Sequence, residues 1–455
     1  MPDPAAPGSV PPASDAGGAP GPPRSPRLWV STTYFAEGLP YMMVRYLAGV
    51  YLTDIGVKEL YLGFLNFLAL PWNLKFLWAP AVDMFGTKRG WLLKVETLLV
   101  LVIALMGVCV LGGPAVARGG ATALTSATAV ASLAVRLLLV VLVVAAFLAA
   151  THDVAIDAYF MEGITDQREQ ARHTGLRVMT YRMAVIFTRS VLVAIAGWVS
   201  WSWSFFGAAL VLGMLLVFHY FYLPRFERPR EAKDRSEGVL RKYGRAFVSY
   251  VDQPKIGLVL LFIITYKLGD EILFSMHTPF LMRGLGVEKT DLAWMQGLLG
   301  TGASIAGSLV SAWAIRRFGL RRTVWPLTLG MNLNIWVYVW LAWMRPDPKL
   351  ASGLATIAGL LAYEQFAAGL GNSVLMIYSM RTCKAEFKAA HFAVASAIAS
   401  IAGTIVGGFG GAIVERVGYM WLFVLSFVAA LPSMVCLFFL PMRDEPKPAA
   451  PAAGG

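Results

Sequence analysis

The sequence predicts an all-α integral membrane protein of about twelve transmembrane helices in two pseudo-symmetric six-helix bundles. Three observations carry that expectation: composition, apolar runs of membrane-spanning length, and a basic turn that recurs at matched places. The chain is 57% hydrophobic and 15% charged, whereas a soluble domain carries roughly 25% charge. Apolar stretches recur from Leu28 to Leu440, each long enough to cross ~30 Å of hydrocarbon.

Spans are expected near residues 28–53, 60–83, 91–112, 130–159, 174–199, 203–223, 254–282, 291–315, 323–343, 353–380, 389–413 and 418–440. With the N-terminus in the cytoplasm, 25 of the 39 Lys and Arg fall in or beside the tails and even-numbered connections. Seven fall in the odd-numbered connections and seven within spans. By the positive-inside rule both termini are cytoplasmic. The net charge of +12 is therefore a topology signal, and no nucleic-acid partner is expected.

The Pro/Gly/Ala-rich tail at 1–27 has almost no large apolar side chains and is expected to be disordered, as is the tail at 442–455. Residues 28–223 and 254–441 form the two expected bundles. Between them, 224–253 reads as a basic cytoplasmic linker lying on anionic headgroups. Cys109, Cys383 and Cys436 lack metal or redox spacing, and neither a metal site nor a cofactor is expected.

The two halves echo each other. APAVDMFGTKRG follows the second span and SAWAIRRFGLRR the eighth. Aligning Gly86 with Gly319 sets Lys88 and Arg89 over Arg321 and Arg322. Two parallel six-helix repeats with this basic turn resemble the major facilitator superfamily. KFLWAPAVD, HDVAIDAY, YKLGDE and YEQFAAGLGNSV further resemble the AmpG-type muropeptide permeases, from about Phe35 to Leu440. That resemblance implies a secondary transporter of the bacterial inner membrane, a monomer that imports anhydromuramyl peptides with protons. The matching polar positions are Lys75, Asp83, Asp153, Asp157, Arg182, Lys267, Asp270 and Glu364. Glu37, His152, Glu271, Arg45 and Arg189 depart from the family's pattern and put the substrate in question. Related branches are associated with siderophores, and a more distant one with acetyl-coenzyme A.

Charges inside spans are expensive. At about 2.5–3.5 kcal/mol each, Lys267, Asp270 and Glu271 together cost roughly 8–10 kcal/mol if nothing offsets them. Their three- and four-residue spacing lets them share a helix face, which should look into a water-filled cavity. In the facilitator fold, spans one, four, seven and ten line that cavity. Here they supply Glu37, Asp153 with Asp157, Asp270 with Glu271, and Glu364. Lys75, Arg45, Arg189 and Lys267 add positive charge, a mixture that suits an anionic or zwitterionic solute plus a proton. A proton would be the coupling ion, carried by Asp270 or Glu364, with Lys267, Lys75 and Arg45 drawing the solute's negative groups.

Other assignments are structural. Asp153 and Asp157 on span four face Arg177 and Arg182 at matching depth on span five, as an ion-pair cluster. Asp83 reads as a gate or helix-end contact. His152 and His277 read as interfacial polar residues, and Glu37 with Arg45 either as a pair or as solute contacts. Small residues at four-residue steps, as at Gly403, Gly407 and Gly411, let helices approach closely. An intramembrane enzyme would need a second acid-rich motif beside DVAID, and none occurs. A transporter-derived sensor would use the central linker and move no solute.

Overall fold

The computed structural model describes residues 25–111, 133–226, 239–384 and 388–440, and every regular element among them is helical. The tail at 442–455 and most of that at 1–27 lie outside the described residues. In chain order the long helical runs are α1 (26–54), α2 (59–84), α3 (Lys88–Leu111), α4 (Leu133–Gly163), α5 (167–198) and α6 (Trp201–Tyr222). After the linker come α7 (256–284), α8 (289–318), α9 (320–344), α10 (Ala351–Arg381), α11 (Lys388–Gly408) and α12 (Gly410–Cys436). Among the described residues, nine helical runs are long and apolar enough to cross a membrane. The runs α1, α7 and α10 are equally long but fall outside that set. They carry Glu37 with Arg45, the Lys267–Asp270–Glu271 trio, and Glu364.

The packing repeats as the sequence does. In the first half α1 lies on α5, α2 on α4, and α3 on α6; in the second, α7 lies on α11, α8 on α10, and α9 on α12. The last two helices divide differently from expectation. Gly418 (φ +81°) interrupts α12, because only a residue without Cβ turns there freely. Its residues 410–417 therefore form a short arm before the final run. The linker also differs from a plain solvated loop: Val239–Val251 is a helix packed on α11. Its Tyr250 is buried while Val248 is 64% exposed, a two-sided pattern suited to a membrane surface.

Two prolines shape the interior. Pro40 lies inside α1 just before a π-helical turn at Met43–Leu47, and Pro279 lies inside α7 just before one at Phe280–Gly284. Proline has no N–H to donate to the preceding turn, and the ladder widens immediately after it. α5 and α8 carry further π turns at Phe187–Leu192 and Ala293–Gly300. Elsewhere local chemistry sets the ends: Asp166 caps α5 by accepting from the backbone N–H groups of Arg168 and Glu169 at 2.6 and 3.2 Å.

Candidate functional site

Among the described residues, the ion pairs between the two halves lie at one end. Arg283, on the π turn of α7, donates to the carbonyls of Thr53 (3.1 Å) and Val57 (2.7 Å) and to Glu59 (3.0 Å). Tyr419 also donates to Glu59, at 3.2 Å. Lys289 meets Asp54 at 2.5 Å, and Trp201 donates to the same carboxylate at 2.7 Å. The Glu415 carboxylate accepts from the Leu60 backbone N–H at 3.1 Å. Gly411 is needed for this contact, since a Cβ there would fall 1.8 Å from the Glu59 carbonyl oxygen. Toward the other end, the last hydrogen bond between halves among the described residues is Asn73 Nδ2 to Thr404 Oγ1, at 3.0 Å.

Just inside the bound end lies a cavity of about 200 Å³, lined by Tyr41, Arg45, Tyr46, Arg189, Glu271 and His277 among others. It draws residues from α1, α5 and α7 of both halves, so it lies between them. Arg45 donates only to backbone, to the carbonyls of Leu65 (3.3 Å) and Asn66 (3.2 Å), and its Nε is buried without a partner. Arg189 stands over the Tyr46 ring, 4.9 Å from its centroid, and its Nε is likewise unpartnered. The Tyr46 hydroxyl donates to Gln296 at 2.8 Å, and Gln296 meets His277 at 2.9 Å. That chain runs from the first half into the second.

A second cluster sits within the first half. Lys75 meets Asp153 at 2.5 Å, and Arg177 meets Asp157 at 2.6 Å. Tyr34 donates to Asp157 at 2.7 Å, and Arg177 covers the Tyr34 ring at 4.3 Å from its centroid. Glu37 stands within hydrogen-bonding reach of Asp153. A third cluster lies in the second half. Glu364 is buried, accepting from Gln365 at 2.9 Å and Tyr338 at 3.5 Å, within electrostatic range of Asp270 and Arg189.

The structure rearranges several sequence expectations. Lys75, grouped with solute-attracting residues, is engaged by Asp153, because its short 3₁₀ turn packs on α4. Arg182 was expected in the same ion-pair cluster and makes no ion pair among the described residues. Glu37 and Arg45 do not pair, and Arg45 turns to the carbonyls of α2 instead. The α7 trio shares no ion pair. Adjacent residues diverge by about a quarter-turn on a helix, so Glu271 lies over Gly403 and Gly407 of α11 while Asp270 is buried. His152 and His277 are buried, 0% and 7% exposed, rather than interfacial. The Asp83 side chain lies outside the described residues.

Sequence reasoning missed two features. Glu96 on α3 and His219 on α6 form a fully buried pair at 2.9 Å, although a lone Glu and a lone His inside apolar runs were there to be matched. The bound end was missed because Asp54, Glu59, Arg283 and Lys289 read as loop charges. Among the described residues, no three His, Cys, Asp or Glu side chains converge so as to hold a metal ion.

Comparison with known proteins agrees with this architecture. The family model of the Major Facilitator Superfamily matches residues 30–363 and 259–455. The chain is 26% identical over 409 residues to an anhydromuropeptide permease of Escherichia coli (strain K12), covering 89% of this chain and 77% of that one. It is 23% identical over 417 residues to a putative transporter, AmpG 4, of Rickettsia felis, covering 89% and 94%. Among solved structures it superposes on a D-xylose–proton symporter with a TM-score of 0.64 at 12% identity, covering 91% and 97%. An inward-facing, unoccupied bacterial homologue of the human lysosomal transporter Spinster gives 0.61 at 14%, covering 91% and 95%. At such identities the structural likenesses speak for the fold alone.

Proposed function

The chain belongs to the Major Facilitator Superfamily, and as a transporter of that family we propose that it is a proton-coupled symporter of the bacterial inner membrane. In this reading it works as a monomer with both termini in the cytoplasm and imports anhydromuropeptides or a closely related anionic or zwitterionic solute. The observation that carries the reading is the cavity between the halves. It is lined by ionisable groups and bound shut at one end by ion pairs, and among the described residues no hydrogen bond joins the halves beyond Asn73–Thr404 toward the other. With the termini inside, the bound end faces the periplasm, and transport is the exchange of this closure for one at the cytoplasmic end. The named activity of the Escherichia coli relative supports the solute class.

Asp270 and Glu364 are the proposed proton carriers, because both are buried on helices of the second half without a salt-bridge partner among the described residues. Lys267 lies on the same helix as Asp270, three residues earlier, where its charge steers the carboxyl's proton affinity. A proton moving through 100 mV supplies ~2.3 kcal/mol, enough for roughly 50-fold accumulation. Uptake of labelled anhydromuropeptide into vesicles with an imposed pH gradient tests the proposal. Wild-type protein should accumulate it, and Asp270→Asn with Glu364→Gln should abolish the gradient-driven part. Retained accumulation in both variants overturns the proton assignment. A wild-type protein that accumulates only a siderophore overturns the solute.

A further inference from the structure

The two arginines of the central cavity occupy an unusual position. Arg45 sits in the π turn Met43–Leu47 of α1 and Arg189 in the π turn Phe187–Leu192 of α5. Both line the same cavity, and neither has a carboxylate partner among the described residues. Arg45 spends one terminal nitrogen on two backbone carbonyls. Arg189 leans on the Tyr46 ring and makes no hydrogen bond among the described residues. The Nε atoms of both are buried and unpartnered. Unpaired guanidinium groups so deep between helices are costly, and π turns at such places commonly mark function.

Resting on the transporter reading above, we propose that Arg45 and Arg189 form the recognition site for an oxyanion group of the solute, a carboxylate or phosphate held by their planar N–H forks. Guanidinium is suited to this, since it presents parallel donors and keeps its charge under all conditions. Glu271 is the one acid among the described residues lining the cavity, so two positive groups face one negative group across it. The volume of about 200 Å³ lies below the ~300–1,000 Å³ of sites that enclose a whole small molecule. The cavity therefore takes the charged head of a larger solute, whose body extends toward the unbound end. Tyr41, packed edge-on against Trp72 at 5.0 Å between centroids, supplies an apolar wall beside that head.

The site also reaches the second half. An anion drawn to Arg189 acts on the cation above Tyr46, whose hydroxyl is tied through Gln296 to His277. Selection by charge is thus located at the seam between the moving parts.

The test compares a solute with and without its oxyanion, using the full chain purified in detergent and reconstituted in liposomes. Competition against labelled anhydromuropeptide uptake is measured for the free acid and for its carboxamide form. Thermal stabilisation is measured in parallel with gluconate, glucose 6-phosphate and neutral glucose. The wild type should prefer acid over carboxamide by roughly tenfold to a hundredfold, and gluconate or the sugar phosphate should stabilise it where glucose does not. Arg45→Gln and Arg189→Gln should each bring acid and carboxamide to equal competition and remove the stabilisation by gluconate and glucose 6-phosphate, and Arg→Lys should restore part of both. Variants that keep the acid preference overturn the proposal and leave the transporter reading intact. If anhydromuropeptide is not transported but the arginine-dependent stabilisation by oxyanions persists, the solute reading falls and the oxyanion site stands. If neither oxyanions nor anhydromuropeptide bind, both fall.

Discussion

The bound end and the central cavity use the same residue types in opposite ways. At the bound end every charge named above has a partner from another helix: Arg283 with Glu59 and three carbonyls, Lys289 with Asp54, Glu415 with the backbone of α2. In the cavity, Arg45, Arg189 and Glu271 have no ionic partner among the described residues, and on the neighbouring turns of α7 neither have Lys267 and Asp270. Satisfied charges hold one conformation, and unsatisfied ones create an affinity for something absent. A protein that must bind, release and rock needs both kinds, in separate places.

The comparison can be sharpened by a pair that belongs to neither region. Glu96 and His219 are 0% exposed and bonded only within the first half. Replacing His219 with Leu strands a buried carboxylate and should cost about 3–5 kcal/mol, read as a large fall in melting temperature. The double variant Glu96→Leu/His219→Leu should recover most of it and keep transport. If the single variant is as stable as wild type, the rule that buried charge must be matched fails here.

At the bound end the effect should appear in populations rather than in folding. Arg283→Ala removes several charge-assisted hydrogen bonds, each worth about 1.5–3 kcal/mol. Loss of even one shifts the balance between the two closures by roughly tenfold or more toward opening of this end. Thiol-reagent accessibility of a cysteine placed at Val50, which lines the cavity, should rise accordingly. Gly411→Leu should do the same by steric wedging, with no change in charge. An unchanged labelling rate in both would mean that this contact does not control access.

The Lys75–Asp153 pair should matter less, because Lys75 is partly exposed at 35% of its side chain. Lys75→Gln should lower stability by about 1 kcal/mol after screening, measured by thermal melting. Smallest of all is Arg172–Glu169, with 64% and 48% of the side chains exposed. Arg172→Ala should change stability by less than about 0.5 kcal/mol, and a larger loss would place that pair in an unrecognised contact.

Much of this was legible before the fold was known. Apolar runs marked the helices because lipid demands them, and the repeated basic turns marked two halves whose packing does repeat. The sequence also showed many of the charges inside spans, though not the buried pair Glu96–His219. It could not say which of them meet, because pairing depends on rotation about each helix axis and on local winding. Lys75 turned to Asp153 through a 3₁₀ turn that no periodicity announced. Arg45 and Arg189 reached one cavity through π turns, of which only the one after Pro40 has a visible cause in the sequence. The bound end was hidden because its charges sit at helix termini, where charge is ordinary.

The central claim is that closure moves from one end of the seam between halves to the other. It is tested most directly by bridging the bound end. With Cys109, Cys383 and Cys436 replaced by Ser, cysteines at Leu60 and Glu415, whose backbone and side chain touch at 3.1 Å, are linked by a short bifunctional thiol reagent. The linked protein should still bind solute from the unbound side but should move none across proteoliposomes, and cleaving the linker should restore uptake. Undiminished uptake by the fully linked protein would contradict the account.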